Sequence, residues 1–317
     1  MDVDMSQSVN IQKRKTNKFA RFRRQIGLQT MVVPGLMALL IFSYLPMFGI
    51  IIAFQNYEVA TGFFNSQFVG LKNFQSFLTD PKVYATLRNT ISISFLGLMI
   101  NFPAPIIFAI LLNELRNGAF KRITQTISYL PHFISWVIYG GIVIRLLAVD
   151  GGLLNMILLN TGLTQSPVYF LNDPGYFYGI MITTSLVKGL GFGSIIYLAA
   201  ISGVDMEVYE AAIIDGAGRF RRIWHVTLPA IMGTLVIFLI FQISGILNTG
   251  FDQVWVLQNA LNISRSEVLD TYIYKMGIAS MRLSYASAVG LTKSIIALIL
   301  LVMANYVSNK VTEKGIF

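Results

Sequence analysis

Three long stretches without any Asp, Glu, Lys or Arg constrain this 317-residue chain more than any other feature. They cover 25–57, 89–113 and 224–251. A helix needs about 20 apolar residues, each rising about 1.5 Å, to cross the hydrocarbon core of a bilayer. Charged residues make up only 12% of the chain, against about 25% in soluble domains. The sequence therefore predicts a protein whose main solvent is lipid.

Hydropathy and helix breakers together predict six transmembrane helices. We place them at 30–54, 86–112, 123–147, 176–202, 230–248 and 286–307. Because six is an even number, both termini are expected on one side of the membrane. The expected fold class is an all-α membrane protein, with one transmembrane domain over 30–307 and a short tail at each end, over 1–29 and 308–317.

The distribution of basic residues orients these helices. One set of connecting segments holds 7, 3, 3 and 2 Lys or Arg, in the order 1–29, 113–122, 203–229 and 308–317. The other set holds 2, 0 and 3, in the order 55–84, 148–175 and 249–285. Basic flanks stay in the cytoplasm, so both termini are predicted to be cytoplasmic. The basic run Lys13 to Arg24 is interpreted as a solvated, lipid-facing tail, and no nucleic acid is needed to explain the net charge of +9.

Proline and glycine interrupt several of the predicted spans, and Pro34, Pro103 and Pro131 are examples. Lipid cannot satisfy the backbone groups that such breakers free, so these helices must pack against neighbours or line a watery cavity. That property suits a transporter, although ordinary kinked packing explains any single site equally well.

Several kinds of chemistry are unsupported by the sequence. There is no cysteine, and the two histidines, His132 and His225, are too far apart in the predicted topology to share a metal. No GxxxxGK[ST] phosphate-binding loop occurs. No nucleophile or acid–base pair is placed near a membrane face. We therefore expect no catalytic site, no metal and no bound cofactor in this chain.

The segment 203–229 is the most unusual connection between spans. Its alanines and isoleucines after Glu210 favour a short helix, Gly216 and Gly218 can end that helix in a left-handed turn, and Pro229 is expected to stop whatever precedes the next span. Basic and bulky apolar residues alternate from Arg219 to His225, as in a helix at the headgroup level.

The spacing within this loop closely resembles the EAA signature of permease subunits in binding-protein-dependent ABC importers. Val226 stands where isoleucine is commoner. The residues that match the signature are Glu210, Ala211, Ala212, Asp215, Gly216, Ala217, Leu228 and Pro229.

The resemblance implies a type I ABC importer permease fold in which 203–229 is the coupling loop that docks on an ATPase subunit. It also implies the partners: a second homologous permease, two ATPase subunits that bind ATP and Mg²⁺, and an extracellular substrate-binding protein, often a lipoprotein. The expected location is a bacterial plasma membrane.

Other segments resemble carbohydrate-importer permeases, nearest the branch that handles complex oligosaccharides and polysaccharide fragments. These are PGLMALLIFSYLPMFGIIIAFQNY, FVGLKNFQSF and VLDTYIYKMGIASMRLSYASAVGL. The Gly-Gly-Pro found in many sugar permeases after the Trp255 region is replaced here by Gln258 to Asn262. The resemblance implies an oligosaccharide or polysaccharide fragment as substrate.

Polar and aromatic residues within the spans are candidates for the substrate path, because sugar sites combine aromatic faces with a few hydrogen-bonding groups. Interfacial or core packing is the alternative for each. Lys188 is expected to face the path, whereas Arg145 and Lys293 are expected to reach the interface. Two roles stay open for Asp252, a pair with Lys188 or hydrogen bonds to sugar hydroxyls, and the sequence does not decide between them. The candidates are Trp136, Tyr139, Lys188, Gln242, Asn248, Asp252 and Trp255.

Two other functional classes stay open at this point. A stand-alone secondary transporter of a small solute would show ion-linked uptake without an ATPase. A membrane-embedded enzyme would need a catalytic constellation that this sequence does not offer.

Overall fold

The fold is that of a computed structural model, which describes residues 26–115 and 118–312. The predicted N-terminal tail lies outside the described residues up to position 25, and the predicted C-terminal tail lies outside them beyond position 312. The only sheet in the described part of the chain is a two-stranded antiparallel ribbon, β1 Gln55–Asn56 with β2 Gln67–Phe68, in which Gln55 is opposite Phe68.

Helices form nearly all the rest. In chain order they are α1 Ile26–Leu39, α2 Leu45–Met47, α3 Gly62–Asn65, α4 Lys72–Thr79, α5 Pro81–Asn101, α6 Pro103–Glu114, α7 Gly118–Phe133, α8 Trp136–Leu146, α9 Leu153–Asn160, α10 Phe177–Ser202, α11 Met206–Ile214, α12 Arg219–Arg222, α13 Leu228–Ser244, α14 Phe251–Leu257, α15 Ile263–Ser266, α16 Leu269–Tyr274 and α17 Leu283–Thr312. Short π or 3₁₀ turns join some of them, at Leu40–Tyr44, Phe48–Phe54, Pro174–Tyr176, Ile223–Thr227 and Lys275–Ala279.

The chain divides into two compact units, of which the first ends at Ile51. Its described part is one apolar helical segment, in which a π turn over Leu40–Tyr44 lies just before Pro46. Proline has no N–H to donate, so a change of hydrogen-bond register in the preceding turn lets the chain stay helical. Met31, Phe42 and Phe48 are largely exposed, as expected for side chains that contact lipid.

The predicted spans are confirmed in number, with one qualification. Five helical segments of the described chain are long and apolar enough to cross a membrane: Thr30–Phe54, Pro81–Glu114, Pro174–Ser202, Arg219–Ser244 and Leu283–Lys310. A sixth is possible if Gly118–Phe133 and Trp136–Leu146, bent by 101° at their junction, count as one. The span predicted over 123–147 is therefore broken in two. Ile134 and Ser135 leave the helix, and the Ser135 hydroxyl caps α8 by accepting a 3.3 Å hydrogen bond from the Ile138 N–H.

The expectation that Pro229 stops the preceding helix before the next span is also wrong. The helix that contains this proline begins ten residues earlier, at Arg219, and continues to Ser244. The π turn over Ile223–Thr227 precedes Pro229, as the π turn over Leu40–Tyr44 precedes Pro46. Proline has no N–H to donate, and the change of hydrogen-bond register in the preceding π turn lets the helix continue through it.

Helix α10 is the centre of the second unit. It packs against α5, α6 and α7, and also contacts α13. Its buried residues Phe177 and Met181 belong to one apolar cluster, and Tyr197 and Ile201 to another at its opposite end. A third cluster, around Phe77, joins α4 to α16 and α17.

A partly buried carboxylate ties the start of α5 to the last span. Asp80 accepts hydrogen bonds from the hydroxyls of Tyr272 (2.8 Å) and Tyr285 (3.2 Å) and from the Lys82 N–H (2.9 Å). Burial acts to raise the pKa of the Asp80 carboxyl, but these bonds to its charged form outweigh burial and lower the pKa from its usual value. The ionised carboxylate therefore stabilises the fold at neutral pH.

We expect Asp80→Asn to destabilise the protein by about 1–2 kcal/mol at pH 7, because charge-assisted hydrogen bonds are stronger than neutral ones. The lowered pKa means that the wild-type advantage is present above the ordinary Asp value of about 3.9 and is lost as the pH falls through the lowered value. Thermal unfolding of detergent-purified protein at pH 7 and at acid pH measures both effects.

The matched control is Asp173→Asn. Asp173 also caps a helical turn, through a 2.7 Å bond from the Gly175 N–H, but it is exposed. Equal destabilisation by the two substitutions at pH 7 would contradict the special role of Asp80.

Candidate functional site

The 203–229 loop begins with a regular helix. The Asp205 side chain accepts a hydrogen bond from the Glu207 N–H (2.9 Å) and caps α11. Glu210 therefore lies in the middle of this helix, and the predicted start of the helix after Glu210 is wrong. Its carboxylate, like the side chains of Ala211 and Asp215, is exposed.

Gly216 ends α11 in a left-handed turn. Its φ is +76°, and the N–H groups of Gly216 and Ala217 bond back to the carbonyls of Ile213 (3.0 Å) and Ala212 (2.9 Å). L side chains rarely adopt this conformation, so glycine is favoured here. Gly218 has φ −66°, so the expectation that it shares the left-handed turn is wrong.

Two side-chain contacts hold the loop against the spans. The hydroxyls of Tyr209 and Thr227 are 2.8 Å apart, and Arg219 Nε lies 3.9 Å from Glu114 Oε2. Beside them is a recess of about 340 Å³. It is lined by Asn113, Glu114, Leu115, Met206, Tyr209, Glu210, Ile213, Arg219 and Arg222.

The outer surface of the loop is apolar and partly acidic. Ile214 is 85% exposed and Phe220 is 82% exposed, and Trp224 is also well exposed. Large exposed apolar side chains next to Glu210 and Asp215 form a surface of the kind that contacts another protein. Leu228 and Pro229, the last residues of the EAA-like spacing, lie on the helix that leads into the next span.

A cavity of about 290 Å³ lies where α13 ends and α14 begins. The chain leaves the helix over 245–250, and Gly250 takes a left-handed φ of +78°. The cavity walls come from α5, α10 and this break. Gln242 and Asn248, two of the predicted path residues, both line it, and its other polar lining residues are Ser94, Asn101, Ser185, Thr249 and Gln253.

Hydroxyl and amide groups, with no charged side chain, supply the polar part of the lining. Gln253 is fully engaged: it donates to the Met181 carbonyl and to Thr184 Oγ1, both at 2.8 Å, and accepts from Ser185 Oγ at 2.8 Å. By contrast, Ser94 Oγ, Asn101 Oδ1 and Thr249 Oγ1 are buried without a hydrogen-bond partner. Buried polar groups normally have one, so three residues of this lining each carry an oxygen whose hydrogen-bonding capacity is unused.

The other predicted path residues lie elsewhere. Trp136 and Tyr139 surround Lys188, whose Nζ is 5.3 Å and 5.8 Å from their ring centroids. Lys188 bonds to backbone carbonyls at the α7–α8 junction, so of the two roles left open for Asp252 the structure does not form the pair with Lys188. Asp252 is exposed, and Trp255 stacks on Phe251 with centroids 5.4 Å apart.

Lys293 also differs from expectation. It forms an ion pair with Asp270, whose other oxygen accepts a 3.3 Å hydrogen bond from the Thr249 N–H. Lys293 therefore pairs with Asp270 inside the protein and does not extend to the membrane interface as predicted. The same Asp270 carboxylate holds the helix break that lines the cavity, through the Thr249 N–H. Arg145, in the last turn of α8, is exposed as expected.

Sequence reasoning missed Ser94, Asn101, Ser185, Thr249 and Gln253. A signal was present, because Ser94 and Asn101 are polar residues inside the charge-free stretch 89–113. Small hydroxyls and amides occur in many membrane helices as packing residues, so only the three-dimensional arrangement separates those that line a cavity.

Two relatives match nearly the whole length of this chain. The protein LplB of Bacillus subtilis (strain 168) is 45% identical over 298 residues, which cover 94% of this chain and 93% of LplB. The polygalacturonan/rhamnogalacturonan transport system permease protein YteP of the same organism is 43% identical, over 93% of this chain and 91% of YteP.

The fold agrees with a solved structure. A chain of the crystal structure of a bacterial alginate ABC transporter in complex with an alginate pentasaccharide-bound periplasmic protein superposes with a TM-score of 0.86. It is 34% identical, over 94% of this chain and 99% of that one. Residues 101–313, which contain the 203–229 loop and most of the cavity lining, match the family described as the binding-protein-dependent transport system inner membrane component. The chain belongs to this family of multi-pass membrane permeases.

Proposed function

We propose that this protein is the permease subunit of an ATP-driven importer that carries an oligosaccharide or polysaccharide fragment across a bacterial plasma membrane. Both termini lie in the cytoplasm in this proposal, as the basic segments indicate. The observation that carries the substrate class is the uncharged cavity with three unpartnered oxygen atoms. Hydroxyl-rich ligands can both donate to and accept from such groups.

The names of similar proteins support the substrate class. YteP is a polygalacturonan/rhamnogalacturonan permease, a 29% identical relative from the same Bacillus is the arabinooligosaccharides permease AraP, and the superposed structure is an alginate transporter. These substrates are all saccharide chains. The cavity volume, about 290 Å³, is at the lower limit for ligand pockets, so it would accommodate only part of such a chain.

The 203–229 loop is proposed as the docking point for an ATPase subunit. Its outer surface combines exposed apolar side chains with the carboxylates of Glu210 and Asp215. The residues of the EAA-like spacing, from Glu210 to Pro229, form this surface and the helix behind it. Movement of a docked subunit would therefore act directly on a membrane helix.

The proposed assembly contains a second homologous permease, two ATPase subunits and an extracellular substrate-binding protein. ATP and Mg²⁺ would bind to the ATPase subunits, which would supply the hydrolysis that this chain does not perform. In this proposal, the residues of the permease chain bind the saccharide in the cavity and transmit the movement of the ATPase subunits to the membrane helices.

Co-purification and uptake test this assembly. We expect mild detergent extraction to recover the chain with a second permease and an ATPase, and proteoliposomes holding the complex to take up labelled oligosaccharide only with internal ATP and external binding protein. A lone chain with ion-gradient-driven uptake would instead support the secondary transporter.

We expect Gly216→Val to lower ATP-driven uptake about tenfold or more while membrane insertion stays normal. A β-branched residue at φ +76° is strained by about 1–2 kcal/mol or more, so the turn that presents the loop is displaced. Uptake per complex and retention of the ATPase are the measurements.

Gly218→Val is the matched control. Gly218 lies two residues later in an extended conformation, with no atom within 4 Å of an added Cβ, so uptake should stay within about twofold of wild type. Similar losses in both variants would argue against a specific role for the left-handed turn.

We expect Thr249→Val to raise the concentration of loaded binding protein needed for half-maximal uptake about fivefold, because one hydrogen bond contributes about 1 kcal/mol. Thr292→Val makes the same exchange in α17, where the hydroxyl bonds its own helix at 2.8 Å, and should leave this concentration unchanged. Initial uptake rates measure both, and an unchanged value for Thr249→Val would remove the cavity from the substrate path.

A further inference from the structure

Lys188 holds the corner at which α7 ends and α8 begins. Its ammonium donates hydrogen bonds to the carbonyl oxygens of Pro131 (3.0 Å), His132 (2.9 Å) and Ile134. These carbonyls lie at the C-terminal end of α7, where backbone acceptors lose their helical partners and carry partial negative charge. The residue is only 8% exposed. One buried cation therefore satisfies three acceptors at the 101° bend between α7 and α8.

Two further contacts join the same corner to α10. A Cβ at Gly191 would overlap the Ser128 carbonyl oxygen, so α10 and α7 approach as closely as glycine allows. One residue further along α10, the Phe192 ring stacks on the His132 imidazole, with centroids 3.8 Å apart and planes 2° apart. The corner and α10 are thus joined by charge, by close backbone approach and by ring stacking.

On the far side of the corner, α8 packs against α14. Trp136 and Tyr139, in the first turn of α8, face the ammonium through their rings. Gly140, one residue later, lies against Val256 of α14 so tightly that an added Cβ would overlap that side chain. Helix α14 begins at Phe251, directly after the break that lines the cavity.

The other end of α10 leads to the proposed docking loop. The helix ends at Ser202, and α11 begins only four residues later, at Met206. The described contacts therefore form one continuous path from α11 through α10 and the Lys188 corner to α8, α14 and the cavity. Lys188 is the only charged side chain placed between α10 and the corner in the described part of the chain.

We propose that Lys188 is a positioning residue for transport: by fixing the α7–α8 corner to α10 through three backbone carbonyls, it transmits displacement of the 203–229 loop to α14 at the cavity. The inference rests on the proposed docking role of that loop. Lys188 does not line the cavity, so it acts through the corner and not on the substrate.

The first test separates ATP hydrolysis from uptake. Methionine is close to lysine in length but carries no donor, so Lys188→Met removes the hydrogen bonds and keeps the volume. In the reconstituted complex we expect ATPase activity, stimulated by loaded binding protein, to stay within about threefold of wild type while uptake falls about tenfold or more. Lys72→Met, at an exposed lysine of α4, should change neither quantity.

The second test measures the corner itself. The chain has no cysteine, so cysteines placed at Leu130 in α7 and Ile142 in α8, both well exposed, take spin labels in an otherwise native sequence. We expect one narrow distance distribution in the wild-type complex and a broader one in Lys188→Met. This readout requires no transport, so it judges the corner even if the proposed substrate or loop role is wrong.

A conservative variant distinguishes a cationic donor from mere packing. Lys188→Arg keeps the charge and several donors, and it should recover at least half of the uptake per ATP that Lys188→Met loses. The inference is overturned if Lys188→Met has normal uptake, if its distance distribution stays narrow, or if Lys188→Arg is as defective as Lys188→Met.

Discussion

Backbone groups that cannot reach water must find partners inside the protein, and the architecture depends on how this requirement is met. In the described chain, this requirement is met in different ways at different interruptions of the helices. The corner after α7 uses a lysine ammonium, and the break after α13 uses the carboxylate of Asp270, which accepts from the Thr249 N–H. The prolines at 46 and 229 follow π turns. At these four places a side chain or a change in helical register compensates for the interruption.

The sequence predicts the features that depend on local chemistry. Span number follows from apolar length, and the left-handed turn at Gly216 follows from glycine after a helical segment. The sequence reasoning starts helix α11 too late, because it takes Glu210 as the boundary and overlooks Asp205, five residues earlier, which caps the helix. Such ambiguities cannot be removed without the fold.

Features that depend on long-range partners were beyond sequence reasoning. Lys188 and Asp252 have opposite charges, which favoured a pair, but three carbonyls at the α7–α8 corner are nearer to the lysine in space. The sequence does not indicate where backbone carbonyls without helical partners will lie close together in the fold. The cavity has the same origin: it joins residues of α5 to residues about 150 positions later, and only Gln242 and Asn248 were anticipated.

The helical segment from Arg219 to Ser244, in which a π turn joins α12 to α13, has a mechanical consequence. Its 26 residues make a rod about 39 Å long, since each residue rises about 1.5 Å. Tilting such a rod by about 5° around its midpoint would move each end by roughly 2 Å, which is less than half of the helical pitch of about 5.4 Å. Phe220 and Trp224 are near one end and Gln242 is near the other. A small lever of this kind needs no melting or refolding to alter the shape of the cavity; the rod itself carries the displacement.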